Sequence, residues 1–170
     1  MDEKPSISSL GMRYGGIVGL IGVILSVIFF ITSSSTQNPA QWVTVIILIG
    51  GIVMAHREFK KSGNGYMSFG EGFKLGFFVV LISAIINSIF SYIYLKFIDN
   101  SILEQAKEQA LMEMENQGVG ADNPAAGMVE MFTTAEAILV MGLIFSLIFG
   151  VIISLIIAAI TKKDEPEFGM

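Results

Sequence analysis

Long apolar stretches separated by short polar segments dominate the chain. Residues 14–55, 75–95 and 137–161 contain no Asp, Glu, Lys or Arg, and the polar segment Ser33–Gln37 divides the first of these stretches. A helix needs about 20 apolar residues to cross a bilayer core of about 30 Å. The pattern therefore predicts four membrane spans, at about 12–33, 39–57, 69–97 and 134–161.

Helix-capping sequences mark the ends of several predicted helices. Asn38 followed by Pro39 is typical of an N-cap and a first helical position, and opens the second span. In a capping box, a Ser or Thr and a Glu three residues later satisfy each other's backbone N–H groups. This spacing occurs at Ser68–Glu71, Ser101–Glu104 and Thr133–Glu136.

The segment between the third and fourth spans predicts a further helix. After the box at Ser101, residues at about 101–117 form an amphipathic pattern with an acidic polar face, and Gly118 suits the C′ position. Residues 118–127 are rich in Gly, Ala, Asn and Pro, which predicts a flexible connection.

The distribution of basic residues predicts an orientation. Lys and Arg are enriched in cytoplasmic segments of membrane proteins. With both termini cytoplasmic, eight of the ten basic residues are inside, and Lys96 and Lys107 alone are outside. We therefore predict an all-α integral membrane four-helix bundle, N-in and C-in. Residues 1–170 would form a single membrane domain, with the amphipathic helix in the outer loop.

Composition supports the membrane class and excludes several functions. The chain is 53% hydrophobic and 15% charged, with a mean hydropathy of +0.70, which is too apolar for an ordinary soluble domain. It has no cysteine, so thiolate chemistry and disulfides are excluded. No basic cluster with interleaved aromatic residues suggests nucleic-acid binding.

Small residues recur on two of the predicted spans. Close approach of helix backbones in lipid favours Gly and Ser at the contacts. The first span carries such a row from Gly11 onward, and the fourth carries one at every fourth position. The helix-packing candidates are Gly15, Gly19, Gly22, Gly142, Ser146, Gly150 and Ser154, together with Asn87. Seams within one bundle and a seam between two copies both stay open.

Asn87, near the middle of the third span, needs hydrogen-bond partners in hydrocarbon, and Ser146 or Ser154 could supply them. An interhelical hydrogen bond and a place on a substrate pathway are the two interpretations. The start of the same span carries three small residues, Gly70, Gly72 and Gly76. We expect them to pack against the glycine face of the first span.

Few residues in the sequence could take part in catalysis, transport or metal binding. No charged residue lies deep in a span, so no side chain there could carry a coupling ion or proton. His56, the only histidine, is expected to anchor the inner interface. Lys60, Lys61 and Lys74 could contact an anionic lipid headgroup. The methionines at 112, 114, 128 and 131 could capture monovalent copper, although Met also fills apolar gaps. We predict no catalytic, cofactor-binding or metal-binding residue.

Several segments resemble a known family. Glu58–Lys61, Asn64–Gly76, Tyr92–Asp99 and the end of the last span at Lys163 are similar to domain-of-unknown-function family 4199, over about residues 10–163. The resemblance implies a small bacterial inner-membrane protein with four spans, and it implies no activity.

Two functions remain from these observations. The first is an uncharacterised multi-pass protein of the bacterial inner membrane, a non-enzymatic scaffold or accessory subunit. Its partners would be the lipid bilayer and a second copy or another membrane protein. The alternative is a small dimeric transporter or channel without a charged residue in its spans.

Overall fold

The computed structural model describes residues 6–32, 41–119 and 123–165. Helices account for most of them, and no strand occurs in these ranges, where only Met67 and Lys163 form an isolated β-bridge. The helices are α1 (Ile7–Thr32), α2 (Gln41–Ser62), α3 (Phe69–Phe97), α4 (Ser101–Asn116), α5 (Pro124–Phe132) and α6 (Ala135–Thr161).

Four of these helices, α1, α2, α3 and α6, are long and apolar enough to cross a membrane. The all-helical class and the four candidate spans are therefore confirmed. Helix α1 begins five residues before the predicted span, and α2 continues five residues beyond its predicted end. The predicted start at Asn38-Pro39 lies outside the described residues.

The helix ends agree with the sequence at some positions and correct it at others. Ser68 and Glu71 form the predicted capping box, because Ser68 N donates to Glu71 Oε2 (2.8 Å) and Glu71 N donates to Ser68 Oγ (3.2 Å). Gly118 has the positive φ (+78°) expected of a C′ glycine.

The other two predicted capping boxes are wrong. Ser101 is already helical: Asn100 is the N-cap of α4 and makes no side-chain capping bond, while Asp99 Oδ1 accepts from Ser101 N at 2.9 Å. At α6 the capping side chain is Thr134, whose Oγ1 accepts from Ala137 N at 3.2 Å. A Ser or Thr with a Glu three residues later also occurs by chance within or before a helix, so spacing alone could not identify the cap.

The predicted flexible connection after Gly118 is shorter than expected. Asn123 Oδ1 accepts from Ala125 N at 3.0 Å, and Pro124 occupies the first turn of α5. The Asn-Pro pair that suggested a loop is thus an N-cap followed by a helix start.

The described residues divide into two compact units. Unit 1 comprises residues 1–87 and 145–170, and unit 2 comprises residues 88–144. The single membrane domain stays a prediction. Unit 1 contains α1, α2, the first part of α3 and the last part of α6. Unit 2 contains α4 and α5, which contact each other, together with the remaining parts of α3 and α6.

Helix α3 is the central helix of unit 1. Its fully buried residues Leu75 and Val79 pack in a core with Ile52 of α2 and Ile157 of α6. The contacts of α3 with its neighbouring helices therefore position the candidate functional groups of unit 1.

Candidate functional site

The seam between α1 and α3 is built from the predicted glycines. Gly11, Gly15, Gly19 and Gly22 are all buried. A Cβ atom at Gly15 would lie 2.8 Å from Ile82 Cβ and 2.9 Å from the Val79 carbonyl oxygen, and one at Gly19 would lie 2.9 Å from Ile86 Cδ1. No side chain fits there without moving α3, so these glycines set the closest approach of two parallel helices.

Asn87 forms a hydrogen bond across this seam. Its Nδ2 donates to the Gly19 carbonyl oxygen of α1 (3.3 Å) and to the Ser83 carbonyl oxygen of α3 (2.8 Å). The predicted interhelical hydrogen bond exists, but the predicted partners Ser146 and Ser154 were wrong. The backbone of α1 can accept this bond because Gly19 and Gly22 have no side chains to shield it.

The small residues of α6 divide into two groups. In unit 1, Gly150 packs directly against Val80 of α3, and Ser154 is fully buried against Gly76. Ser146 is exposed. In unit 2, a Cβ atom at Gly142 would meet no heavy atom within 4 Å. Gly150 and Ser154 thus make intramolecular contacts with α3, and a seam between two copies stays an open alternative.

Gly72 and Gly76 do not pack against α1, as the sequence suggested. A Cβ atom at Gly72 would lie 3.0 Å from Met67 Cε and 3.4 Å from Ala158 Cβ, and one at Gly76 would lie 3.0 Å from Ser154 Oγ. These two glycines face α6, four residues apart, and a Cβ atom at Gly70 would meet nothing. Helix α3 thus presents different faces to α1 and to α6, which periodicity on one helix cannot distinguish.

His56 is a core residue and not the interfacial anchor that the sequence predicted. Its side chain is completely buried. Nε2 lies 2.8 Å from the Gly72 carbonyl oxygen, and Nδ1 lies 2.7 Å from Thr161 Oγ1. A carbonyl oxygen only accepts, so Nε2 donates to Gly72. Thr161 Oγ1 lies 2.7 Å from both Nδ1 and the Ile157 carbonyl oxygen, so its one hydroxyl hydrogen has two acceptors within reach. The imidazole therefore links α2, α3 and α6.

Further polar contacts surround this histidine. Lys60 Nζ donates to the Thr161 carbonyl oxygen at 2.9 Å, so it binds an unpaired carbonyl at the C-terminus of α6. Met67 and Lys163 exchange two backbone hydrogen bonds of 2.9 Å. We call His56, Lys60, Met67, Gly72, Thr161 and Lys163 the His56 cluster. Its members join the end of α2, the start of α3 and the end of α6.

The proposed headgroup lysines have different surroundings. Lys60 is engaged with α6, Lys61 is exposed, and Lys74 lines a surface pocket with Ser6, Ser8 and Glu71. A shared anion site for the three lysines stays a prediction, and the bond from Lys60 to Thr161 competes with it.

A cavity of about 540 Å³ lies among α1, α2, α3 and α6 in unit 1. Apolar side chains form most of its wall, and the polar side chains in it are Ser26, Thr44, Ser83, Asn87, Ser146 and the indole of Trp42. We call it the Asn87 cavity. Among the described residues, its wall contains no Asp, Glu, Lys, Arg or His. The cavity can accommodate an uncharged, mainly hydrocarbon molecule.

Unit 2 contains two ion pairs that involve the predicted outer lysines. Lys96 binds Glu136, and Lys107 Nζ lies 2.5 Å from Glu130 Oε1. The Lys107 hydrogen bond lowers the pKa of Glu130 below its ordinary value of 4.5, and the Ser101 backbone N–H lowers the pKa of Asp99. Glu136 therefore serves an ion pair where the sequence predicted a cap.

Among the described residues, no group of three or more His, Cys, Asp or Glu side chains could hold a metal ion. Met112, Met128 and Met131 are exposed. Copper capture by the methionines stays an untested alternative to the prediction of no metal site, since thioether ligands are not part of that group.

The sequence comparison gives one family. A family model described as "Protein of unknown function (DUF4199)" matches residues 13–163. No curated protein and no solved structure matches the chain. The matched range includes the Asn87 cavity, the His56 cluster and, except for Gly11, the glycines of the seam between α1 and α3. The chain belongs to the DUF4199 family.

Proposed function

We propose that this protein is a multi-pass protein of the bacterial inner membrane that acts by non-covalent association, as a scaffold or accessory subunit, and not as an enzyme. The observation that carries the proposal is the engagement of His56. It is the only histidine, and both of its ring nitrogens bind structural groups of neighbouring helices. Residues 14–55, 75–95 and 137–161 contain no Asp, Glu, Lys, Arg, His or Cys that could serve as an acid, a base or a thiolate nucleophile.

In-cell photocrosslinking tests this proposal. A photoreactive amino acid placed at Ile148 or Ile152, which are 52% and 48% exposed on α6, would contact whatever covers that helix. We expect a discrete protein adduct at one of these positions. The control is Val79 of α3, whose side chain is fully buried and should give no intermolecular adduct. Lipid adducts alone at all exposed apolar positions of the four spans would refute a scaffold role.

The N-in, C-in orientation is part of the proposal. Eight of ten basic residues are then cytoplasmic. The Met67–Lys163 bridge supports a common side for the α2–α3 loop and the end of α6. Because the chain has no cysteine, single substitutions such as Ser62→Cys and Gln117→Cys report sidedness directly. We expect an impermeant maleimide to label only Gln117→Cys in spheroplasts, and the reverse pattern would refute the orientation.

A second candidate function is a small dimeric transporter or channel with an uncharged pathway. The Asn87 cavity favours it, because serine, threonine and asparagine side chains lie on a wall shared by four helices. Water-soluble thiol reagents should then reach Ser83→Cys and Ser146→Cys. Protection of both positions, with labelling of Gln117→Cys as the control, would refute a continuous aqueous pathway.

A further inference from the structure

We infer that the Asn87 cavity is a binding site for a neutral single-chain lipid, whose hydroxyl group donates a hydrogen bond to Asn87 Oδ1. This inference holds whether the protein is an accessory subunit or a transporter, because it concerns what the bundle takes up from the bilayer. It depends on the size of the cavity, the chemistry of its wall, the orientation of the Asn87 amide and its depth along α3.

The cavity has the size and wall of a small-molecule site. Its volume of about 540 Å³ lies within the roughly 300–1,000 Å³ typical of ligand pockets. Its wall includes Leu25 of α1, Leu48 of α2, Val80 of α3 and Ile153 of α6. An apolar cavity of about 150 Å³ already binds small hydrocarbons in a protein interior. A hydrocarbon chain is therefore a suitable occupant.

The Asn87 amide supplies one acceptor. Both Nδ2 hydrogens are used, one toward Gly19 O and one toward Ser83 O, so the flipped amide would place oxygen against two carbonyl oxygens. Within the described residues, Oδ1 accepts no hydrogen bond. It faces Gly22, where a Cβ atom would lie 2.6 Å away, and both residues line the cavity. An unpaired amide oxygen in hydrocarbon favours a ligand with a donor.

Depth and charge define the ligand class. Asn87 lies ten residues before the end of α3 at Phe97, about 15 Å along the helix. A group bonded to Oδ1 is therefore inside the span and away from headgroups. The wall has no basic side chain, so a phosphate or carboxylate would be buried there without a counter-charge. A hydroxyl group meets both conditions, and a phospholipid headgroup meets neither.

Photolabelling of the full chain in nanodiscs of phosphatidylethanolamine and phosphatidylglycerol tests the inference. The probes are dodecanol carrying a chain diazirine and the matching diazirine dodecane without the hydroxyl. We expect the alcohol to label peptides of α1, α3 or α6 that line the cavity, competed by dodecanol. It should label them roughly fivefold more than the alkane, the difference that one hydrogen bond gives.

Two variants locate the site. Ser146→Phe fills the cavity from an exposed position and should reduce labelling by the alcohol about tenfold. Gly142→Phe is the matched control on the same helix, where the new side chain would meet open space, and it should leave labelling unchanged. Asn87→Leu should keep labelling by the alkane and abolish the preference for the alcohol.

Each possible result bears on a different part of the inference. Equal labelling by the two probes in the unmodified chain would overturn the role of Asn87. Equal labelling of Ser146→Phe and Gly142→Phe would overturn the cavity as the site. If Asn87→Leu does not fold, as judged by helicity and a monodisperse elution, Ser146→Phe and the two probes still decide the result, because neither depends on that variant.

Discussion

The His56 cluster and the Asn87 cavity show two opposite uses of polar groups in one helix bundle. In the His56 cluster, the buried imidazole bonds to Gly72 and Thr161, and the backbones of Met67 and Lys163 bond to each other. In the Asn87 cavity, of about 540 Å³, the amide uses both donors, and its oxygen accepts no hydrogen bond from the described residues. Complete pairing holds three helices together, whereas incomplete pairing beside a cavity creates a place for a ligand.

The same contrast appears in the small residues. Gly72 and Gly76 let Ala158 and Ser154 approach α3 near the His56 cluster. At the other end of this part of α6, Ser146 is exposed and lines the Asn87 cavity. A regular row of small residues therefore produces a tight seam at one part of α6 and an open wall at another.

The largest effect is expected from His56→Ala. The change removes a fully buried ring and leaves Thr161 and Gly72 without their shared partner. We expect the free energy of unfolding to fall by about 2–4 kcal/mol, measured by denaturant titration in detergent micelles. Ser146→Ala is the control, with a change below about 0.5 kcal/mol. Similar values for both variants would remove the contrast between the two regions.

A second test compares a larger side chain in the seam between α1 and α3 with one on the wall of the Asn87 cavity. Gly15→Leu should destabilise the bundle by about 1–3 kcal/mol, because a Cβ atom there meets the α3 backbone at 2.9 Å. Ser146→Leu should be neutral or stabilising. The matched control is Gly16→Leu, one residue away, where a Cβ atom meets nothing within 4 Å. A cost at Gly16 as large as that at Gly15 would show that helix insertion, and not packing, is affected.

A third test concerns Ser154. Its Oγ is buried, and no hydrogen-bond partner for it lies in the described parts of the chain. Ser154→Ala keeps the small volume that Gly76 requires and removes this unpaired group. We expect the free energy of unfolding to rise by about 1 kcal/mol. A clear loss of stability would mean that Ser154 has a partner, and the region near His56 would then be more completely paired than described.

The smallest effect concerns the exposed pair of Lys107 and Glu130, in contrast with the buried groups of unit 1. Lys107→Gln should return the pKa of Glu130 toward its ordinary value of 4.5, as measured by carbon NMR titration of the full chain. A lowered folded-state pKa stabilises the folded state above the unfolded pKa, and that contribution is lost as the pH falls through the folded pKa. An unchanged pKa would show that the pair does not form in solution.

The sequence was sufficient for features that depend on one segment at a time. The apolar stretches located the spans, the capping box at Ser68 located the start of α3, and the glycines of α1 marked a seam. Each of these signals lies within a single helix or its cap, where spacing translates directly into geometry.

Features that depend on several helices were missed or misassigned. His56 sits beside Arg57 and Glu58, so its position along the chain suggested an interface. Its burial depends on Gly72 and Thr161, which are 16 and 105 residues away. The glycines at 72 and 76 were a signal for close packing around it, but they were assigned to α1. Asn87 was recognised, and its partner was not, because a backbone carbonyl carries no sequence signature.

The closure of the His56 cluster by Thr161 and Lys163 has a consequence for biosynthesis. These residues are synthesised more than a hundred residues after His56. Throughout most of translation the nascent chain therefore carries a histidine whose Nδ1 partner does not yet exist. The contacts of the final turn of α6 with His56 and Lys60 can form only after that turn has been synthesised. A chain truncated before residue 161 would keep the bond from His56 to Gly72 and lose the one to Thr161, so α6 would no longer be tied to α2 through the imidazole.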